Sequence, residues 1–198
     1  MTDKKLLITQ TALRLFINKG IHAVGINEII KTADVAKKTL YHHFATKEQL
    51  IIATLDYRDM LFITWMQAHM ESKETAHQSI TALFHALDDW FNGRAEQLGE
   101  FHGCFFINAS AEYKQADCPI NQRCRAHKQK VREIVASFAK QITADKRQID
   151  FIADSICILK EGAITSALVQ HDLSAGVKAI PLVEMLINSV YQNKKGNT

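Results

Sequence analysis

Lys37, Lys38, Thr39, Tyr41, His42 and His43 crowd polar chemistry into seven consecutive positions. Two chemistries are open to such a run. Adjacent imidazoles could ligate a metal, or ammonium, hydroxyl and imidazole groups could together contact a polyanion. The metal reading fails on geometry. Neighbouring residues on a helix point about 100° apart, so His42 and His43 do not chelate from one face. The other histidines, among them His22, His69, His77, His85, His102, His127 and His171, are scattered without a zinc spacing. No metal and no cofactor are expected. The polyanion reading suits the residue types. Lysines attract phosphate, and hydroxyls and imidazoles donate hydrogen bonds to phosphate or base edges. Periodicity alone does not separate this from a three-helix packing unit with a solvated lysine face.

The elements that would position these residues are helical. The chain has two prolines and eight glycines and no convincing alternating stretch, so an all-α fold is expected. A first helix over residues 4–18 aligns Ile8, Ala12, Leu15 and Phe16, and Lys19-Gly20 closes it. A second follows Gly25, with Ile26, Ile29, Ile30 and Ala33 on one face. Asp34-Val35 is a tight turn. The third helix carries the polar run, with Leu40 and Phe44 inward and Lys37, Lys38, Tyr41 and His42 outward. Thr46 and Gln49 fit a capping box opening a long helix to about residue 70, striped by Leu50, Ala53, Tyr57, Leu61, Trp65 and Ala68. Coarser helices are expected over 76–97, 104–115, 119–142, 146–170 and 175–192. Asp145 suits an N-cap, and Pro181 is expected to start or kink the last helix.

Three short helices with a tight turn before the third match the helix-turn-helix plan. The stretches "ALRLFINKGIHAVGINEII", "ADVAKKTLYHHF" and "TKEQL", within Ile8 to Leu50, resemble the DNA-binding domain of the TetR family of bacterial transcriptional regulators. The resemblance implies a helix-turn-helix domain over residues 1–46 and a helical regulatory and dimerisation domain over 47–198. It implies a homodimer on palindromic operator DNA, with repression the commoner mode and a small-molecule inducer. It makes Lys37, Lys38, Thr39, Tyr41 and His42 the candidate groove and phosphate residues, and Asn27 and Lys47 backbone contacts. Two positions depart from the family pattern. Asp34 stands where Gly is usual in the turn, and Gly25 where Thr or Ser is commoner at the N-cap.

The rest of the chain is richer in large side chains. Phe62, Trp65, Met66, Phe84, Trp90, Phe105 and Tyr113 could line a ligand cavity between helices, or form an ordinary aromatic core. "HGCFFINASAEY" opens a helix with Gly-Cys and resembles a family branch that senses electrophiles or oxidants. A thiol at a helix N-terminus gains thiolate character, with His102, Arg123 or Arg125 as possible helpers. Cys104 is then a candidate sensor and Cys118 and Cys124 its resolving partners; the alternative is a buried packing cysteine. Gly162, Ala163, Ser166 and Ala167, with Leu186 and Val190, could pack against a second chain or within their own.

Bulk properties bound these readings. The chain has 198 residues, 47% hydrophobic and 23% charged, which is ordinary globular composition. Residues 1–50 hold eight Lys/Arg against four Asp/Glu, although the whole chain carries only +3, so one end is suited to a polyanion. "MTDKKLLITQ" lacks an apolar leader and no run approaches a membrane span, so a cytoplasmic protein with no membrane contact and with reduced cysteines is expected. Phosphate loops, nucleophile elbows, metal motifs and paired catalytic carboxylates are missing, which argues against an enzyme. The remaining alternative is a DNA-binding protein governed by a protein partner rather than a small molecule.

Overall fold

The structure is a computed structural model describing residues 3–195. Residues 1–2 and 196–198, at the ends of the two expected domains, lie outside it. The described residues are helical without a β-strand: α1 (Asp3–Lys19), α2 (Ile26–Ala33), α3 (Lys37–His43), α4 (Lys47–Glu71), α5 (Ala76–Phe91), α6 (Phe105–Glu112), α7 (Pro119–Ile142), α8 (Lys146–Val169) and α9 (Ala175–Lys195), with a short 3-10 turn at Glu96–Leu98. Two compact units form. The first comprises Met1–Leu61 and Cys104–His127, the second Phe62–Gly103 and Lys128–Thr198.

In the first unit, α1 buries Ile8, Ala12, Leu13 and Phe16 against α2 and α3. Leu15, expected inward, is half-buried, and Leu13 takes that role on the opposite flank. Gly20 closes α1 at φ 88°, its amide donating to the Phe16 carbonyl at 2.9 Å. Leu40 and Phe44 are 0% and 2% exposed, the two anchors of α3. At the head of α4, the Gln49 amide donates to Thr46 Oγ1 at 3.2 Å. The Gln49 side-chain oxygen accepts from the Ala45 amide at 3.0 Å, one residue before the N-cap that a capping box would use.

The single stripe expected on α4 is not what forms. Ala53, Tyr57 and Leu61 are half-buried and Ala68 is exposed, whereas Ile51, Thr54, Leu55, Arg58, Phe62, Met66 and Met70 are buried. These residues recur at i, i+3, i+4, i+7, i+11, i+15 and i+19, so the buried arc is rotated from the expected one, of which Leu50 and Trp65 remain buried.

In the second unit, α5 packs on α9 and α9 on α8. Ile80, Leu83, Phe84 and Leu87 of α5 meet a core completed by Ile152 and Ile156 of α8 and Val183 and Ile187 of α9, all fully buried. Each such side chain contributes about 1.5–3 kcal/mol. Gly176 lets α9 approach α5 closely, since a Cβ there would lie 2.7 Å from the Phe84 carbonyl oxygen. Helix α5 starts with a full Thr75/Gln78 capping box and ends at Phe91, short of the expected residue 97. Gly93, at φ 73°, turns the chain out of the helix there. Asp145 caps α8 as expected, its carboxylate accepting from the Arg147 amide at 2.8 Å. Helix α9 runs through Pro181 rather than starting at it.

Candidate nucleic-acid interface

The turn between α2 and α3 is set by Asp34, which adopts φ 50° and ψ 52°. A left-handed residue other than glycine costs roughly 1–2 kcal/mol, least for Asp and Asn. The Val35 amide donates to the Ile30 carbonyl at 3.2 Å, which closes the end of α2. Helix α3 then leaves Lys37, Lys38, Tyr41 and His42 exposed, with Thr39 half-buried at its flank. Asn27 is exposed on α2, one residue inside the helix whose Gly25 N-cap has no side-chain cap. His43 is half-buried, and its ring meets that of His42 edge-on at 5.1 Å. No group of three or more metal-ligating side chains comes together among the described residues.

Lys47 differs from its neighbours. Its Nζ donates to the Ile21 carbonyl at 2.7 Å and lies 5.9 Å from the centre of the Phe16 ring. Burial pulls its pKa below the ordinary lysine value, and the nearby Glu112 charge opposes that shift. The side chain ties the head of α4 to the turn after α1, a job the sequence did not reveal.

The aromatic residues divide between the units. Phe62, Trp65, Met66, Phe84 and Trp90 all belong to the second unit and are at most 4% exposed. The Phe62, Trp65 and Trp90 rings lie 5.3–6.3 Å apart, a packed cluster. Phe105 and Tyr113 belong to the first unit, where Phe105 is buried beside Phe106 and the Tyr113 ring lies 4.8 Å from that of His22. A groove of about 350 Å³ opens elsewhere on the second unit, between His77, Thr81 and His85 of α5 and Glu184 of α9. None of the expected pocket residues lines it.

All four cysteines are free thiols. Cys104 is the N-cap of α6 and is 7% exposed; Cys124 is buried and Cys118 half-buried. The expected cationic helpers are engaged elsewhere. Arg123 pairs with Asp56 at 3.4 Å, and Arg125 donates to the Ala116 carbonyl at 2.6 Å. The cation that senses Cys104 is Arg58, which is 4% exposed and has its pKa pushed down to about 10 by burial, with the Cys104 charge opposing. Nearby in the same unit, His127 Nδ1 is 2.7 Å from Asp59 Oδ1 and its ring stacks on Phe106 at 3.6 Å. Sequence reading missed Arg58, Asp59 and Glu112, because each meets its partner far along the chain.

The exposed side chains of α8 and α9 include Ile158, Val169, Leu182 and Met185, each more than half exposed. Of the residues expected to meet a second chain, Ala163, Ala167 and Val190 turn inward within their own chain, Ser166 and Leu186 are half-buried, and Gly162 is exposed.

Three packed helices with a left-handed turn before an exposed, basic third helix make this a helix-turn-helix fold. Residues 8–54 match the family model of the bacterial regulatory proteins of the tetR family. SCO4454 of Streptomyces coelicolor, a TetR-family transcriptional regulator, superposes with a TM-score of 0.84 and 28% identity, over 96% of this chain and 90% of its own. YuxN of Bacillus subtilis, an uncharacterized HTH-type transcriptional regulator, is 26% identical over 99% of this chain and 65% of its own length. The chain thus spans just under two thirds of that relative. The transcriptional repressor NemR of Escherichia coli is 24% identical over 74% of this chain and 70% of its own length. Its reduced form shares the fold, with a TM-score of 0.78 over 91% of this chain and 95% of that one. Residues 8–54 thus carry a tetR-family DNA-binding region, and the whole chain shares the fold of a TetR-family regulator. Among the described residues no helix is long and apolar enough to cross a membrane.

Proposed function

We propose that this chain is a sequence-specific DNA-binding transcriptional regulator, acting as a repressor that a small-molecule or thiol-reactive inducer releases from its operator. The observation that carries the reading is α3. Leu40 and Phe44 anchor it, while Lys37, Lys38, Tyr41 and His42 face solvent on the helix that follows the turn. Thr39, Asn27 and Lys47 join these as candidate contacts, with Lys47 serving first as a brace. Residues 1–46 read the DNA and residues 47–198 regulate. A homodimer presents two copies of α3 to a palindromic operator, in successive major grooves. The surface suited to that dimer is the apolar set Ile158, Val169, Leu182 and Met185, around Gly162 and Ser166.

Release follows if an inducer favours a state in which the two recognition helices no longer match the operator. Cys104 is the candidate thiol, supported by its place at the head of α6. The dense packing of Phe62, Trp65 and Trp90 favours a second reading, in which a protein partner rather than a small molecule governs the same DNA-binding unit.

The test is recovery of genomic fragments bound by the purified full chain, with and without a thiol oxidant. Enrichment of fragments sharing a palindrome, reduced by the oxidant in wild type but not in Cys104→Ser, supports the reading. Enrichment unaffected by oxidant removes the thiol arm.

A further inference from the structure

Glu112 is the last residue of α6, and its carboxylate reaches a turn some 90 positions earlier in the chain. One oxygen accepts the Ile21 amide at 2.7 Å and the other the His22 amide at 2.6 Å. His22 Nδ1 stands 3.5 Å from the second oxygen, and the His22 ring packs 4.8 Å from that of Tyr113. Gly20, just before these amides, has a positive φ of 88° and lies so close that a Cβ would come 3.4 Å from the carboxylate. The Ile21 carbonyl is held in turn by Lys47. The turn between α1 and α2 therefore has its N–H groups taken by α6 and a carbonyl taken by α4.

Hydrogen bonds to an ionised carboxylate are about twice as strong as neutral ones, and two on adjacent amides fix direction as well as distance. His22 is followed within a few residues by α2, the helix that packs beside α3. A displaced turn therefore displaces α2 and, through it, α3. Helix α6 itself is about two turns long, with Cys104 at its head and Glu112 at its foot.

We infer that Glu112 is a positioning residue: through its two backbone bonds, α6 sets the α1–α2 turn and so the presentation of α2 and α3 to DNA. The inference rests on the DNA-binding reading above and adds the side chain by which α6 takes part in it. Glu112 itself touches no DNA in this account.

The test compares full-length wild type, Glu112→Ala and Glu112→Gln on a duplex recovered in the genomic selection and on a scrambled duplex, over a range of salt. Glu112→Ala should bind the recovered duplex about tenfold more weakly, roughly the worth of one charge-assisted hydrogen bond. Its affinity for scrambled DNA and its salt slope should match wild type, because no phosphate contact is lost. Glu112→Gln, whose amide oxygen still accepts, should fall between them, and it carries the comparison if the alanine variant does not fold. A recovered-duplex affinity within twofold of wild type in both variants, or equal losses on both duplexes, overturns the inference. Hydrogen exchange without DNA separates this from the underlying reading. If wild type does not discriminate the recovered duplex, the DNA-binding reading falls and exchange alone decides. Faster exchange in the variants at Ile21, His22, α2 and α3, with α8 and α9 unchanged, upholds the clamp; unchanged exchange at Ile21 and His22 removes it.

Discussion

Helix α3 and the pair α8/α9 both leave large side chains in solvent, but of opposite kinds. On α3 the exposed groups are Lys37, Lys38, Tyr41 and His42; on α8 and α9 they are Ile158, Val169, Leu182 and Met185. A cationic, hydrogen-bonding face gains from meeting phosphate and base edges. An apolar face gains from leaving water altogether. Under the proposed function the two surfaces suit different partners, DNA for one and a second copy of the chain for the other.

Breaking each face tests that division. The largest effect is expected from Leu40→Ala, which empties the anchor of α3. It should lower stability by about 2–5 kcal/mol in urea unfolding, with loss of DNA binding. Next is the apolar face. Ile158→Lys with Met185→Lys should leave the fold intact, shift sedimentation from dimer to monomer, and weaken operator binding about a hundredfold as the bivalent contact is lost. A variant that stays dimeric would move the interface elsewhere.

The polar face should respond more gently. Lys38→Ala should weaken all duplexes, reduce the salt slope by about one, and leave the melting temperature unchanged. Lys47→Ala sharpens the contrast. If its ammonium stays on the Ile21 carbonyl, stability falls by about 1 kcal/mol and the salt slope holds. A slope lowered by about one with unchanged melting would make it a phosphate contact instead. Smallest is Gly25→Ser. The position has φ −84° and open space for a Cβ. A serine N-cap should stabilise the protein by a few tenths of a kcal/mol, read as a small rise in melting temperature.

The two faces also differ in how legible they were. The α3 face is a local matter. Leu40 and Phe44 stand four apart and both prove buried, Asp34 adopts the left-handed turn its position calls for, and Gly20 ends α1 as expected. Helix extents were mostly readable for the same reason, since caps and breakers act within a few residues. What the sequence left open depended on partners distant in the chain. The buried arc of α4 is rotated from the expected one, because the residues that cover it are not its neighbours in sequence. Ala163, Ala167 and Val190 fit a helix–helix contact by size, but size does not say which helix they meet, and they turn inward. Cys104 acting on Arg58, Asp59 on His127 and Glu112 on the α1–α2 turn carry no local signal. Each is an ordinary charged residue until the fold brings its partner near. Lys47 was placed correctly at the head of α4, yet its carbonyl partner Ile21 lies across the unit.

The central claim is that α3, held as described, reads DNA. The most direct measurement is binding of the purified full chain to its recovered genomic duplex and to a scrambled duplex of equal length and composition, in physiological salt. The account predicts at least a thousandfold preference for the recovered duplex, of the order found for specific DNA-binding proteins, with the preference lost when the exposed α3 residues Tyr41 and His42 are replaced by alanine. Equal affinity for the two duplexes, or a preference indifferent to Tyr41 and His42, would contradict it.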